Sequence, residues 1–197
     1  MAANRPRMYL TLLLVAAIGL VSGSATWSAF SDSTDNSSNS FAAGTVAIDD
    51  NDAGADLLSL ANAKRGDLQT GCIKVSYSGS LNATVSLSAG TTGLLADYLD
   101  ITVTRGSAAA TFPLCVGFSP DGTDYIGQGS GVIYKGPLSG FPQSGAPLVD
   151  PTPGSPDTWS NGDNHVYQVA VELPANAPAG GQGLSSTLTL TWEAKNQ

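Results

Sequence analysis

Apolar and polar residues alternate with a period of two along most of the chain. Ala83, Val85 and Leu87 alternate with Thr84 and Ser86, Leu99, Ile101 and Val103 with Asp100 and Thr102, Tyr167, Val169, Val171 and Leu173 with Gln168, Ala170 and Glu172, and Leu188, Leu190 and Trp192 with Thr189, Thr191 and Glu193. Each run reads as a strand with one face toward a core and the other toward water. Thr45 to Ile48, Cys72 to Ser78 and Phe112 to Phe118 bring the count to at least seven. Turns rich in Gly, Pro, Asn and Asp separate them, which predicts an antiparallel β-sandwich. Helix is confined to one turn at Leu94 to Tyr98, and no internal repeat is visible. The stretch 127–163 is rich in Gly, Pro and Ser, including Pro151 to Pro156. It reads as a long surface excursion holding one short element at Val132 to Tyr134, because proline cannot donate to a central strand ladder.

The first thirty residues follow a different pattern. Arg5 and Arg7 precede an apolar run from Leu12 to Val21, and small residues come next. The run is shorter than the roughly 20 residues that span a bilayer, so residues 1–29 read as a secretory signal peptide and not as an anchor. Gly23 and Ala25 would let an ordinary peptidase cut after Ala25. Neither a lipid-accepting cysteine after the run nor a C-terminal sorting motif is found, so retention at a surface would have to come from assembly or binding.

The segment Thr26-Trp-Ser-Ala-Phe-Ser-Asp32 resembles the processing site of the TasA/camelysin family, which a SipW-type signal peptidase cuts between the positions held here by Ala29 and Phe30. Asn39 to Ile48 resembles that family's Phe-x-x-Gly-Thr-hydrophobic strand after a short polar leader. Arg65-Gly-Asp67 stands where the family carries a Pro-Gly-Asp turn, and Gly183 to Ala194 looks like its closing strand, while Ala89 to Asp163 matches loosely. The resemblance implies a single jelly-roll domain over 41–197, a mature N-terminus at Phe30, and a secreted fibre or spore-coat-associated protein located in the extracellular matrix or at the cell surface.

Composition sharpens the expected role. The chain of 197 residues has 8 Lys plus Arg against 16 Asp plus Glu, and loss of Arg5 and Arg7 with the leader peptide makes the mature charge still more negative. Such a surface repels nucleic-acid phosphates and anionic headgroups, which excludes DNA, RNA and peripheral membrane binding as primary roles. Cys72 and Cys115 are an even pair in a chain expected to be secreted, each on the parity opposite to its strand's apolar residues, which predicts a disulfide. Closing a loop of that length is worth about 3–4 kcal/mol in the chain-entropy account.

Residues for catalysis are scarce. Camelysin-like metalloprotease activity would need about three protein ligands for zinc, yet His165 is the one histidine and no His-Glu-x-x-His motif surrounds it. A serine hydrolase would need the same histidine and lacks a Gly-x-Ser-x-Gly elbow. His165 begins a strand and shares its apolar parity, the place of a partly buried or hydrogen-bonded side chain. Asp49, Asp50, Asp52 and Asp56 form the densest acidic cluster and are weak calcium candidates. A twelve-residue EF-hand loop beginning at Asp49 or Asp50 would end on Leu60 or Ala61 in place of a bidentate Glu, so a solvated turn is the plainer expectation. Glu172 and Glu193 lie on outer strand parities and do not pair as glycosidase carboxylates. The expectation is a non-enzyme without a cofactor.

The leader over 30–40 is the remaining feature. Phe30, Ser31, Asp32, Ser33, Thr34, Asp35, Asn36, Ser37, Ser38 and Asn39 bury little by themselves, which suits either a disordered tail or a donor strand. A donor strand adds to the open edge of a neighbouring sandwich, and main-chain hydrogen bonds supply the affinity while few side chains need pockets. The family resemblance implies the second: a head-to-tail homopolymer. A monomeric surface or spore-coat adhesin that uses 127–163 as its binding loop is the alternative.

Overall fold

Turn chemistry and two-faced strands together build the sandwich. The computed structural model describes residues 44–55, 57–58, 63–108, 111–181 and 184–197. The signal peptide, the Ala29/Phe30 cleavage pair, the leader through Asn39, and Asp56 lie outside the described residues. Among the described residues nine strands follow in order: β1 Ile48–Asp50, β2 Leu68–Tyr77, β3 Ala83–Thr92, β4 Asp100–Ser107, β5 Ser119–Pro120, β6 Val132–Pro137, β7 Leu148–Val149, β8 Asn164–Glu172 and β9 Thr187–Asn196. A 3₁₀ turn at Leu94–Tyr98 stands where the sequence predicts a helical turn, and it buries Leu95 and Ala96.

All pairings are antiparallel. One sheet runs β1-β2-β8-β4, with β6 and β5 both on the far edge of β4, and the other runs β7-β3-β9. The pairs β2–β8, β3–β7 and β4–β6 nest inside one another along the chain. That is a long hairpin rolled over itself, the jelly-roll arrangement. Register sets the core: Ile101 pairs with Val171 and Val103 with Val169 across β4 and β8, while Ile73 pairs with Tyr167 across β2 and β8. All are buried against Val85, Leu87 and Ala89 of β3. Before β2, Lys64 to Asp67 close a tight turn, in which the Asp67 carboxylate accepts from the Lys64 N–H at 2.7 Å and Gly66 adopts φ +84°. A β-carbon would be strained there.

Three sequence expectations need correction. Phe112 to Phe118 is not a strand but a series of turns lying over the outer face of β2. Pro113 has no N–H to donate and Gly117 at φ +82° breaks extension, so Leu114 and Val116 are left 58% and 75% exposed. The first strand is shifted: the regular ladder covers Ile48–Asp50 and not Thr45 to Ile48, although Ser78 and Ser80 still donate to the Ala47 and Thr45 carbonyls. Asp49 and Asp50 therefore belong to a strand, and the turn begins after them. Finally, 127–163 is no mere surface excursion. Ile133, Leu138, Phe141 and Trp159 from it are buried in the core. Trp159 exchanges two backbone hydrogen bonds with Ala83, and Asp150 N–H donates to the Val85 carbonyl, so the segment fastens to the β7 side of β3.

The disulfide joins Cys72 and Cys115 with Cα atoms 5.1 Å apart. Cys72 is buried on the outer face of β2 among Val166, Cys115 and Phe118, away from the main core. Among the described residues no helix is long and apolar enough to cross a membrane.

Candidate functional site

The two strands of the small sheet are covered unequally. Ala83, Val85, Leu87 and Ala89 of β3 are buried, whereas their neighbours Leu188, Leu190, Trp192 and Ala194 on β9 are only partly so. The reason is position: β3 is flanked on both sides, while β9 pairs among the described strands only with β3. Among the described strands its outer edge has no partner, and an edge of that kind lets a sheet accept another strand.

Beside that edge lies a cleft of about 500 Å³. Its floor comes from the large sheet and its turns: Ile73, Val169, Val171, Leu95, Leu99 and Leu138. Leu188, Leu190 and Trp192 form one wall, and Leu57 and Leu58 help form the rim opposite. The Trp192 ring leans on Tyr167, centroids 5.4 Å apart, and its indole N–H is buried without an acceptor among the described residues. Completing the burial of each half-covered β9 side chain is worth about 1 kcal/mol.

Asp50 and Asp52 stand at the mouth of the cleft. Asp50 pairs with Val75 and so shares its cleft-ward face, whereas Asp49 pairs with Ser76 on the opposite face. The carboxylates also shape the chain locally. Asp50 Oδ1 accepts from Asp52 N–H at 3.1 Å and Asp52 Oδ1 from Gly54 N–H at 2.6 Å, while Asn51 Oδ1 accepts from Lys74 N–H at 2.8 Å. Burial raises the Asp50 pKa and the neighbouring Asp52 and Asp49 charges add to the rise, against the lowering effect of the Asp52 N–H. Of the four calcium candidates, the structure thus brings two together at the cleft mouth and turns Asp49 away. Among the described residues no three His, Cys, Asp or Glu side chains converge as a metal site.

A second polar constellation lies inside the sandwich. Arg105 follows Ile101 and Val103 on the core parity of β4 and is 3% exposed. Its Nε is 3.5 Å from both an Asp121 and an Asp150 oxygen, and its Nη2 donates to Asp157 Oδ2. Nη2 also lies 2.7 Å from Nε2 of His165. Burial lowers the His165 pKa and the adjacent Arg105 charge lowers it further, against the pull of Asp121, Asp157 and Asp163. Its ring meets Trp159 edge-on, centroids 4.7 Å apart. Burial raises Asp150 to about 6, even though Arg105 and the nearby Tyr167 hydroxyl and Trp159 indole favour its charged form. Tyr125 donates to Asp121 at 2.9 Å and is pushed up to about 12 by burial and then by that carboxylate. One cation faces three carboxylates drawn from distant parts of the chain, and the cluster bolts residues 121–157 to β4 and β8.

The sequence pointed to His165 and the acidic run. It did not point to Arg105, whose placement on an apolar strand parity was the available signal, nor to the cleft, which depends on what does not pair with β9. The disulfide pair is joined within this one chain. Neither a family model nor a curated protein matches the sequence.

Proposed function

We propose that this chain is a secreted structural subunit of extracellular fibres, without enzymatic activity, which assembles head to tail by donating its N-terminal leader to the next copy. The carrying observation is the edge of β9, which pairs with no described strand other than β3 and lies beside an apolar cleft. A strand laid along that edge would pair with its open backbone groups and cover Leu188, Leu190 and Trp192. The leader fits this use because it is polar and lacks proline from Phe30 to Asn39, so each of its residues has a backbone N–H to offer to a ladder. Donation from one copy to the next is a heterologous contact, which propagates into a filament unless its rotation closes a ring.

Secretion is supported by the apolar run after Arg5 and Arg7 and by the Cys72–Cys115 disulfide, a bond that persists in oxidising compartments. The resemblance at Thr26 to Asp32 adds a SipW-type peptidase as the processing partner, and a biofilm or envelope matrix as the setting. Electron microscopy of the purified chain beginning at Phe30 tests the proposal. Filaments are expected from that chain and only monomers from one lacking Phe30 to Asn39; filaments of equal yield from the shortened chain would overturn it.

A further inference from the structure

We propose that the cleft beside β9 recognises a free N-terminus, taking the α-ammonium and the aromatic side chain of Phe30 from a second copy, with the ammonium held at Asp50 and Asp52. This rests on donor-strand assembly and names the end of the strand that docks first.

Charge is the first ground. Asp50 and Asp52 are the only charged residues among those described as lining the cleft, with no Lys, Arg or His to offset them. Burial and the neighbouring Asp52 and Asp49 charges raise the Asp50 pKa, and a cation placed between Asp50 and Asp52 would relieve that repulsion. The leader from Phe30 to Phe41 contains no Lys or Arg. Once the chain is cut between Ala29 and Phe30, the single positive charge of the leader is the new α-ammonium, which is largely protonated at neutral pH. Capture of a terminal amine is an established way of reading a peptide end.

Parity is the second. Phe30 and Phe41 are separated by an odd number of positions, so a continuous strand turns them to opposite faces and only one can enter the cleft. With the amine at the acidic mouth, that one is Phe30, whose ring finds a floor of Leu, Ile and Val side chains. The unpartnered Trp192 indole N–H gains an acceptor from the carbonyls or hydroxyls of the Ser-rich strand. The same parity turns Asp32 toward the cleft and its carboxylates, and Asp35 away. Proteolytic processing then acts as the trigger, because the uncut precursor has neither the amine nor the aromatic at its end.

The test compares fibre growth, by light scattering and electron microscopy, for the mature chain with a free Phe30 amine, the same chain N-acetylated at Phe30, and a chain beginning at Ala29. None of these changes touches the sandwich. Loss of one charge-assisted contact predicts growth roughly tenfold slower for the acetylated chain, and slowing is likewise expected for the Ala29 chain, whose side chains are displaced by one residue. Asp32→Asn should speed growth and Asp35→Asn leave it unchanged. In an Asp50→Asn, Asp52→Asn variant, which keeps both Oδ1 acceptors, free and acetylated chains should grow alike. An acetylated chain that grows at the free-amine rate overturns the recognition of the N-terminus; if deletion of Phe30 to Asn39 still abolishes growth, donor-strand assembly survives that result. Absence of fibres from every chain overturns both.

Discussion

Arg105 Nε lies 3.5 Å from an Asp150 carboxylate oxygen, and the two side chains are 3% and 1% exposed. A charge pair so enclosed is asymmetric to mutation, because removing one partner leaves the other buried and uncompensated. Arg105→Met should lower unfolding free energy by about 3–5 kcal/mol. Asp150→Asn should be milder, since burial already works against the ionised form of Asp150. Urea denaturation of both variants at neutral pH checks the order.

The same cluster predicts a pH signature. Asp150 has a folded pKa near 6, above its ordinary 3.8, so the folded state takes up a proton before the unfolded state does. Its contribution grows as pH falls through 6, is complete below 3.8, and is lost again as pH rises, amounting to about 2 kcal/mol between pH 7 and 4.5. His165 acts in the opposite sense, because its folded pKa is lowered and stability is lost as pH falls through its ordinary 6.5. Asp150→Asn should therefore steepen the loss of stability on acidification from pH 6, and His165→Gln should flatten it. Denaturation midpoints measured across pH 4.5–7 test both signs.

Trp159 offers a test of the 127–163 segment as core. It is 1% exposed and bonded twice to Ala83 through its backbone. Trp159→Ala should cost about 3–5 kcal/mol, the range for a large buried aromatic. A change below about 1 kcal/mol, the range of surface substitutions, would contradict this packing.

The five long strands could be read from the sequence because an open antiparallel sandwich keeps one face of each strand wet. Ile101 and Val103 of β4, or Val169 and Val171 of β8, could hardly be assigned to another face. The 127–163 segment escaped for a physical reason. Ile133 sits on the short β6, where the sequence does predict an element, but the anchors Phe141 and Trp159 are carried by irregular backbone between prolines, so no period connects them. The Phe112 to Phe118 run alternated convincingly, yet Pro113 and Gly117 outweighed the pattern and left its apolar residues in solvent. Around Arg105 the strand parity was visible, but its partners Asp121, Asp150 and Asp157 converge only through the fold. The acceptor cleft was hidden more deeply, since an edge is defined by a missing neighbour.

The disulfide holds the Thr111 to Phe118 turns over β2, helped by the Cys72 N–H donating to the Pro113 carbonyl at 2.9 Å. Replacing Cys72 and Cys115 together by alanine should lower stability by about 3–4 kcal/mol. Early proteolytic cleavage near Leu114 and Val116 should accompany the loss, measurable by limited digestion and mass spectrometry, whereas the β9 edge should be untouched.

Hydrogen–deuterium exchange of monomer and fibre tests the central claim most directly, because donor-strand assembly onto β9 makes a local prediction about backbone amides. On fibre formation the peptide covering Thr187–Asn196 and the leader from Phe30 should both gain protection, while β6 and β7, at other sheet edges, should exchange as in the monomer. Protection that arises on β1, β6 or β7 with Thr187–Asn196 unchanged would contradict the account.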